Sequence, residues 1–255
     1  MNDEKVVTYA SAAQCAQFGF GIALQIAKTV EGKVPSELIQ RMMKAPEESA
    51  EFNAIVEEVT ARILQIKTDQ WKREKEKIEK FYSECFGIKN IDWGKAPIPA
   101  SDISGMSVLE YVLAKLTEDQ IFEAYAQKFG KDAVWKAYDS IRKAIKTQQD
   151  RPKGDYCILH RGGVEPDTEH LNKSYGDFSG DGNKYMVPKE GMLAAFRYRF
   201  ETGKMYDVKG ATRFHALDSG GGAMRMCRVS DGRFNMDGGD RGYRSSDYGP
   251  RQVSF

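Results

Sequence analysis

Two short runs near the C-terminus constrain this chain more than any other part of it. Over residues 224–227 and 233–237 apolar and polar side chains alternate strictly, which is the period of a strand with one buried face. Met224, Met226, Phe234 and Met236 are thereby assigned to a core, and Arg225, Cys227, Arg233, Asn235 and Asp237 to an outward face. Composition sharpens this. Between Gly210 and Arg251 there is no Lys, Glu, Gln, Trp or Ile, although Lys, Glu and Gln abound in the rest of the chain. What replaces them is Gly, Asp, Ser, Arg and Tyr. The outward set continues through Ser230, Asp231 and Gly238 into Asp240, Gly242, Tyr243, Ser245, Ser246, Asp247 and Tyr248. Such a mixture suits recognition loops, where tyrosine and arginine supply contact area and small polar residues adapt.

The first half has a different texture. Phe52, Val56, Val59, Ile63 and Ile66 recur at steps of four and three, which lines one face of a helix that continues through the charged run 72–77 and ends near Gly87. Because the two signs alternate in that run, it is expected to be a solvated helix face rather than a nucleic-acid contact. Residues 7–30 are weakly amphipathic, and a short helix is expected from Pro35 to the breaker Pro46. After the loop at 93–99, capping boxes at Ser107 with Glu110 and at Thr117 with Gln120 predict two more helices, and Gly130 precedes a last one running to about Thr147. Residues 148–154 form the expected boundary. Beyond it, residues 156–160 read as a buried strand, and Pro188 to Gly203 as a helix with Met192, Leu193, Phe196 and Phe200 inward. The expected class is α+β, a helical region over 1–150 followed by a domain of short strands and long loops over 151–255.

The order of features after residue 150 resembles the variable proteins of diversity-generating retroelements. The matching features are a helix, Arg213 and Phe214, a short strand pair, an arginine-rich loop and Gly249, Pro250 and Arg251 close to the C-terminus. The resemblance implies a C-type-lectin fold related to the formylglycine-generating enzymes. In that family an error-prone reverse transcriptase substitutes at adenines, and asparagine codons become any codon ending in a pyrimidine. Such codons never encode Lys, Glu, Gln, Trp or Met, so the types missing here are largely those the mechanism would miss, and the methionines would be fixed scaffold. Pro250 stands where the wider fold group often has Phe. The resemblance also casts Arg228 and Arg251 as buried partners of irregular loops.

Other chemistries have less support. The net charge is +1, and Asp218, Asp231, Asp237, Asp240 and Asp247 interleave with Arg225, Arg228, Arg233, Arg241 and Arg244, which leaves little field for nucleic acid. Cys15, Cys85, Cys157 and Cys227 lack metal-site spacing. His160, ending an apolar run, is read as a core histidine rather than a ligand beside Cys157, and His170 and His215 complete no pattern. Residues 177–183 resemble a calcium loop, but Pro188 stands where a bidentate glutamate is needed, so a turn is expected. The N-terminus has neither signal peptide nor membrane span, which makes the cytoplasm the default, with surface display through a partner left open. The expected function is non-enzymatic binding of a protein ligand, without metal or cofactor, in a chain able to form homo-oligomers. A formylglycine-generating-type enzyme using Cys227 and a helical adaptor are the alternatives.

Overall fold

The structure, a computed structural model, describes residue 41 and residues 50–99, 105–228 and 232–255. By contact the chain divides into two compact units, Met1–Arg73 and Glu74–Phe255. The weakly amphipathic segment 7–30 lies outside the described residues. Of that expected over 35–46 only Arg41 is described, and it is helical. Helix α1 (Ala50–Phe86) covers the predicted segment and stops where expected: Gly87 takes φ +68°, and its N–H bonds to the Ser83 carbonyl, which a left-handed residue permits. Along its charged run Lys72, Arg73, Glu76 and Lys77 are exposed, whereas Glu74 is half-buried beside Arg197.

The 107–112 segment is a strand, not a helix. β1 (Val108–Val112) pairs antiparallel with β4 (Tyr156–His160), in register from Val108 with His160 to Val112 with Tyr156. Ser107 and Glu110 fit a capping box by spacing alone. Glu110 is instead the counterion of Arg197, whose Nε reaches both carboxylate oxygens at 3.0 and 2.9 Å, and the β-branched and aromatic neighbours suit a strand. The Thr117 box does form: Thr117 Oγ1 accepts from the Gln120 N–H and Gln120 Oε1 from the Thr117 N–H, opening α2 (Glu118–Phe129).

The helix expected after Gly130 is also absent. In its place stand a 3-10 turn (Lys131–Ala133), β2 (Val134–Lys136), the single turn α3 (Ile141–Ala144) and β3 (Ile145–Gln148). Tertiary pairing decides this. β2 lies parallel to β7 (Phe234–Gly239) and β3 antiparallel to β5 (Ala211–Asp218), so both join a sheet whose other strands come much later in sequence. Residues 148–154, the expected boundary, run from the end of β3 toward β4 inside the second unit.

The larger sheet runs β2-β7-β6-β5, with β6 spanning Ala223–Arg228, and the far edge of β5 is shared by β3 and β8 (Tyr248–Pro250). One turn of helix, α4 (Tyr175–Ser179), precedes α5 (Pro188–Thr202). α5 starts at the predicted Pro188, is capped by Glu190 on the Val187 N–H, and ends at left-handed Gly203. It lies so close to β5 that a Cβ on Gly191 would come within 2.3 Å of the Phe214 ring. The alternation read from the sequence holds: Met224, Met226, Phe234 and Met236 are buried on this side.

Between α5 and the other helices sits an aromatic cluster. Phe196 packs against Phe81, Tyr125, Phe86 and Phe129 at 5.0 to 5.8 Å, and Tyr125 stacks on Phe234. Buried ion pairs join distant segments, among them Glu110 with Arg197, Arg151 with Glu190, and Asp207 with Arg251. Arg251 is thus a buried loop partner as expected, while Arg228 is exposed. The architecture is mixed α and β, compatible with an α+β class. Among the described residues no helix is long and apolar enough to cross a membrane.

Candidate ligand-binding face

The sheet face turned away from α5 is built by register. Arg213 on β5 stands opposite Arg225 on β6, Arg225 opposite Asp237 on β7, and Cys227 opposite Asn235. Odd-numbered residues of these strands therefore share one face, as period-2 geometry requires. Arg225 binds Asp237 through both oxygens, Nε to Oδ1 at 2.6 Å and Nη2 to Oδ2 at 3.2 Å. Asn235 Nδ2 donates to Asp237 Oδ2 at 3.0 Å and points at Cys227 Sγ at 3.7 Å. Asn235 is only 3% exposed, so it belongs to the floor of the face rather than its surface.

Two tyrosines wall one side. Tyr243 and Tyr248 meet edge to face, the Arg213 guanidinium lies 5.6 and 5.8 Å from their ring centres, and that of Arg225 lies 5.4 Å from Tyr248. Beside Tyr243 a cavity of about 230 Å³ is lined by Arg213, Ala223, Arg225, Gly239, Asp240 and Tyr243. A broader hollow of about 400 Å³ adjoins it through Gly239 and Asp240, and is bounded by Asp218, Gly220, Gly221, Gly222, Gly238 and Arg241. Asp218 organises that hollow: Oδ1 accepts from the Gly220 and Gly222 N–H groups, and Oδ2 from the Tyr138 hydroxyl at 3.0 Å. Gly238 has to be small, because a Cβ there would lie 2.0 Å from Asp218 Oδ2.

The remaining predicted residues scatter around this centre. Gly242, Ser246 and Asp247 are exposed, Tyr243 is half-exposed, and Arg233, Ser245 and Tyr248 are half-buried. Gly242 donates its N–H to Asp240 Oδ1, and the Asp247 carbonyl receives the Ala211 N–H. Ser230 and Asp231 lie outside the described residues. Arg244 pairs across to Asp177 at 2.7 Å. Asp177 also caps α4 through Ser174, and Asp181 accepts from Tyr185, so the carboxylates of the calcium-like stretch face different partners.

Elsewhere, Cys157 and His160 are both buried in β4, but their odd separation puts them on opposite faces. Cys157 Sγ donates to the Ala96 carbonyl, and His160 lies between Glu110 and the Gly162 N–H. Burial pushes the Cys157 thiol up to about 12. It also raises Cys227, outweighing the Asn235 hydrogen bond. Asp167, Glu169 and His170 bring oxygen and nitrogen atoms within 4.8 Å of one another, but Arg161 binds both carboxylates and the Gln252 N–H takes Asp167 as well.

The residues missed from sequence are Arg213 and Asp218 with Tyr138. Their one local signal is a charged residue inside β5, an otherwise buried strand whose apolar pattern does not alternate. No model of a known protein family matches the chain, and no curated protein or solved structure matches it either.

Proposed function

We propose that the chain is a non-enzymatic binding protein. Residues 151–255, joined by β2 and β3, form a C-type-lectin-like domain, and the outer face of β6, β7 and loop 240–248 is a display surface diversified by a retroelement to recognise varied protein ligands. The observation that carries this is segregation on the same strands. Arg225, Asp240 and Tyr243 gather around one hollow, with Asp237 bound to Arg225, while Met224, Met226, Phe234 and Met236 behind them are 2% exposed or less. Substitutions on such a face leave the core intact, which a protein that tolerates many sequences at its binding surface requires. Asn235 and Gly238 belong to the floor, one by burial and the other by its contact with Asp218, so variation concentrates at Arg225, Cys227, Arg233, Asp237, Asp240 and residues 242–248.

The face suits a protein better than a metabolite, since it is a shallow surface with tyrosine and arginine contacts rather than an enclosed apolar pocket. No metal or cofactor is invoked. The helical region supplies oligomerisation, attachment or support. An enzyme built on Cys227 would need a thiolate, and burial pushes that thiol the other way. The test is to sequence the DNA beside the gene for a near-copy of its 3′ end next to a reverse-transcriptase gene. A copy that differs mainly at template adenines, in the codons for Arg225, Cys227, Arg233 and their neighbours, is the expected result. Absence of any such copy refutes diversification.

A further inference from the structure

One charge on this face has no answering group. Arg213 is 3% exposed, and its Nε and Nη1 have no hydrogen-bond partner among the described residues. Folds keep a buried cation where it is paired, so an unpaired one calls for a cause outside the fold. Its surroundings make the deficit larger. Arg225 stands directly opposite, a like charge across the strand pair. Asp237, the carboxylate that could serve both, gives its oxygens to Arg225 and Asn235. Asp240 lines the same cavity but is exposed, and its Oδ1 accepts from the Gly242 N–H. Tyr243 and Tyr248 offer ring faces to the guanidinium, which ease the charge but accept no N–H in line.

Arg213 lines the 230 Å³ cavity, and its unpartnered Nε and Nη1 lie just beneath the cavity surface, closed off from solvent. It is smaller than the ~300 Å³ at which small-molecule pockets begin, and it suits one side chain or chain end of a larger partner. We infer that the cavity is a carboxylate receptor: an acidic group of the protein ligand enters between Arg225 and Tyr243, and the Arg213 guanidinium turns its free N–H donors toward it. A carboxylate fits better than a phosphate because, of the two described cations that line the cavity, Arg213 alone has unpartnered donors, and a dianion would face Asp237 and Asp240 as well. Arg213 lies outside the diversified set, so it acts as a constant anchor while the residues around it choose among ligands. This rests on the proposal that the face binds a protein.

The test uses the full-length chain labelled with ¹⁵N, and follows arginine Nε–H resonances by NMR at fixed ionic strength. The probes are N-acetylglutamate N-methylamide for a side-chain carboxylate, N-acetylalanine for a chain-end carboxylate, the neutral glutamine analogue, and inorganic phosphate. The resonance that Arg213→Gln removes should shift saturably with one or both carboxylates and not with the neutral amide, and the tighter carboxylate identifies the source. Arg213→Gln should weaken binding by about tenfold or more, the scale of a charge-assisted hydrogen bond. Asp240→Asn should strengthen it by about two- to fivefold, as removal of an exposed like charge does. Ala223→Leu, which fills the cavity and keeps Arg213, should abolish it, so the outcome does not hang on one variant folding. No saturable shift in the wild type, equal binding of the neutral amide, or phosphate binding as tightly as carboxylate would overturn the inference. Carboxylate binding without a near-copy beside a reverse transcriptase would leave the receptor standing and remove diversification. The converse would remove the receptor alone.

Discussion

Replacing Arg251 by Met should cost more stability than any surface change in the domain, and the structure says why. The guanidinium is 1% exposed and ties together segments far apart in sequence: Nε donates to Thr212 Oγ1 at 2.7 Å, Nη1 to the Gly163 carbonyl at 2.7 Å, and Nη2 to the Val164 carbonyl at 2.9 Å and Asp207 Oδ1 at 2.6 Å. It also lies 4.0 Å from the centre of the Tyr206 ring. Not all of these losses weigh equally. The Val164 carbonyl keeps the Asp207 N–H, and Gly163 is exposed enough for water to replace the arginine. Asp207 is different: its carboxylate is 1% exposed and would keep Thr212, whose N–H donates to Oδ2, but no counterion. Burial already pushes that carboxyl up with Arg251 beside it, and losing the cation pushes it further. Breaking one side of a buried pair costs about 3–5 kcal/mol. Urea unfolding at pH 7 measures it, with Trp71→Phe in the background so that Trp93 and Trp135 report on the second unit. Adding Asp207→Asn to Arg251→Met should recover part of the loss, because the orphaned charge goes with it. A loss under about 1 kcal/mol, or a double variant as destabilised as the sum of the singles, would refute the reasoning.

Gly238→Ala should destabilise by about 1–3 kcal/mol and speed amide hydrogen exchange at Gly220 and Gly222, since the new methyl displaces the Asp218 carboxylate that holds them; unchanged exchange would contradict it. Glu110 is buried, which alone would raise its carboxyl, but Arg197 and His160 outweigh this and hold it below the usual range. Its stabilisation is therefore present above the unfolded value of about 4.3 and is lost as the pH falls through the lower folded value. Wild type should exceed Glu110→Gln in urea midpoint at pH 7 by a margin that shrinks between about pH 5 and pH 3; a constant margin would count against the pair. Cys227 should react with iodoacetamide slowly at pH 7, with a rate that climbs only above about pH 8.5; an inflection at lower pH would reveal an activated thiol and revive the enzyme alternative.

What could be read from the sequence was what neighbours in the chain decide. The 3.6-residue period at Phe52 to Ile66 and Gly87 after it predicted α1, Thr117 with Gln120 predicted the start of α2, and Pro188 and Gly203 bounded α5. Alternation at residues 224–237 also predicted the burial of Met224, Met226, Phe234 and Met236, because a one-residue error would turn every methionine outward, but it placed Asn235 on the surface, where the sheet buries it. Three strands were read as helix. β1, β2 and β3 are three to five residues long and contain capping and helix-forming residues, and their hydrogen bonds go to partners about 50 to 100 residues away. Local pattern carries no record of such partners. The same is true of Glu110, which by spacing is a cap and by packing the counterion of Arg197. Arg213 is the sharpest case: its residue type and its strand were visible, but that it would be buried opposite Arg225 with Asp237 already taken depends on the register of three strands, which only the folded sheet determines.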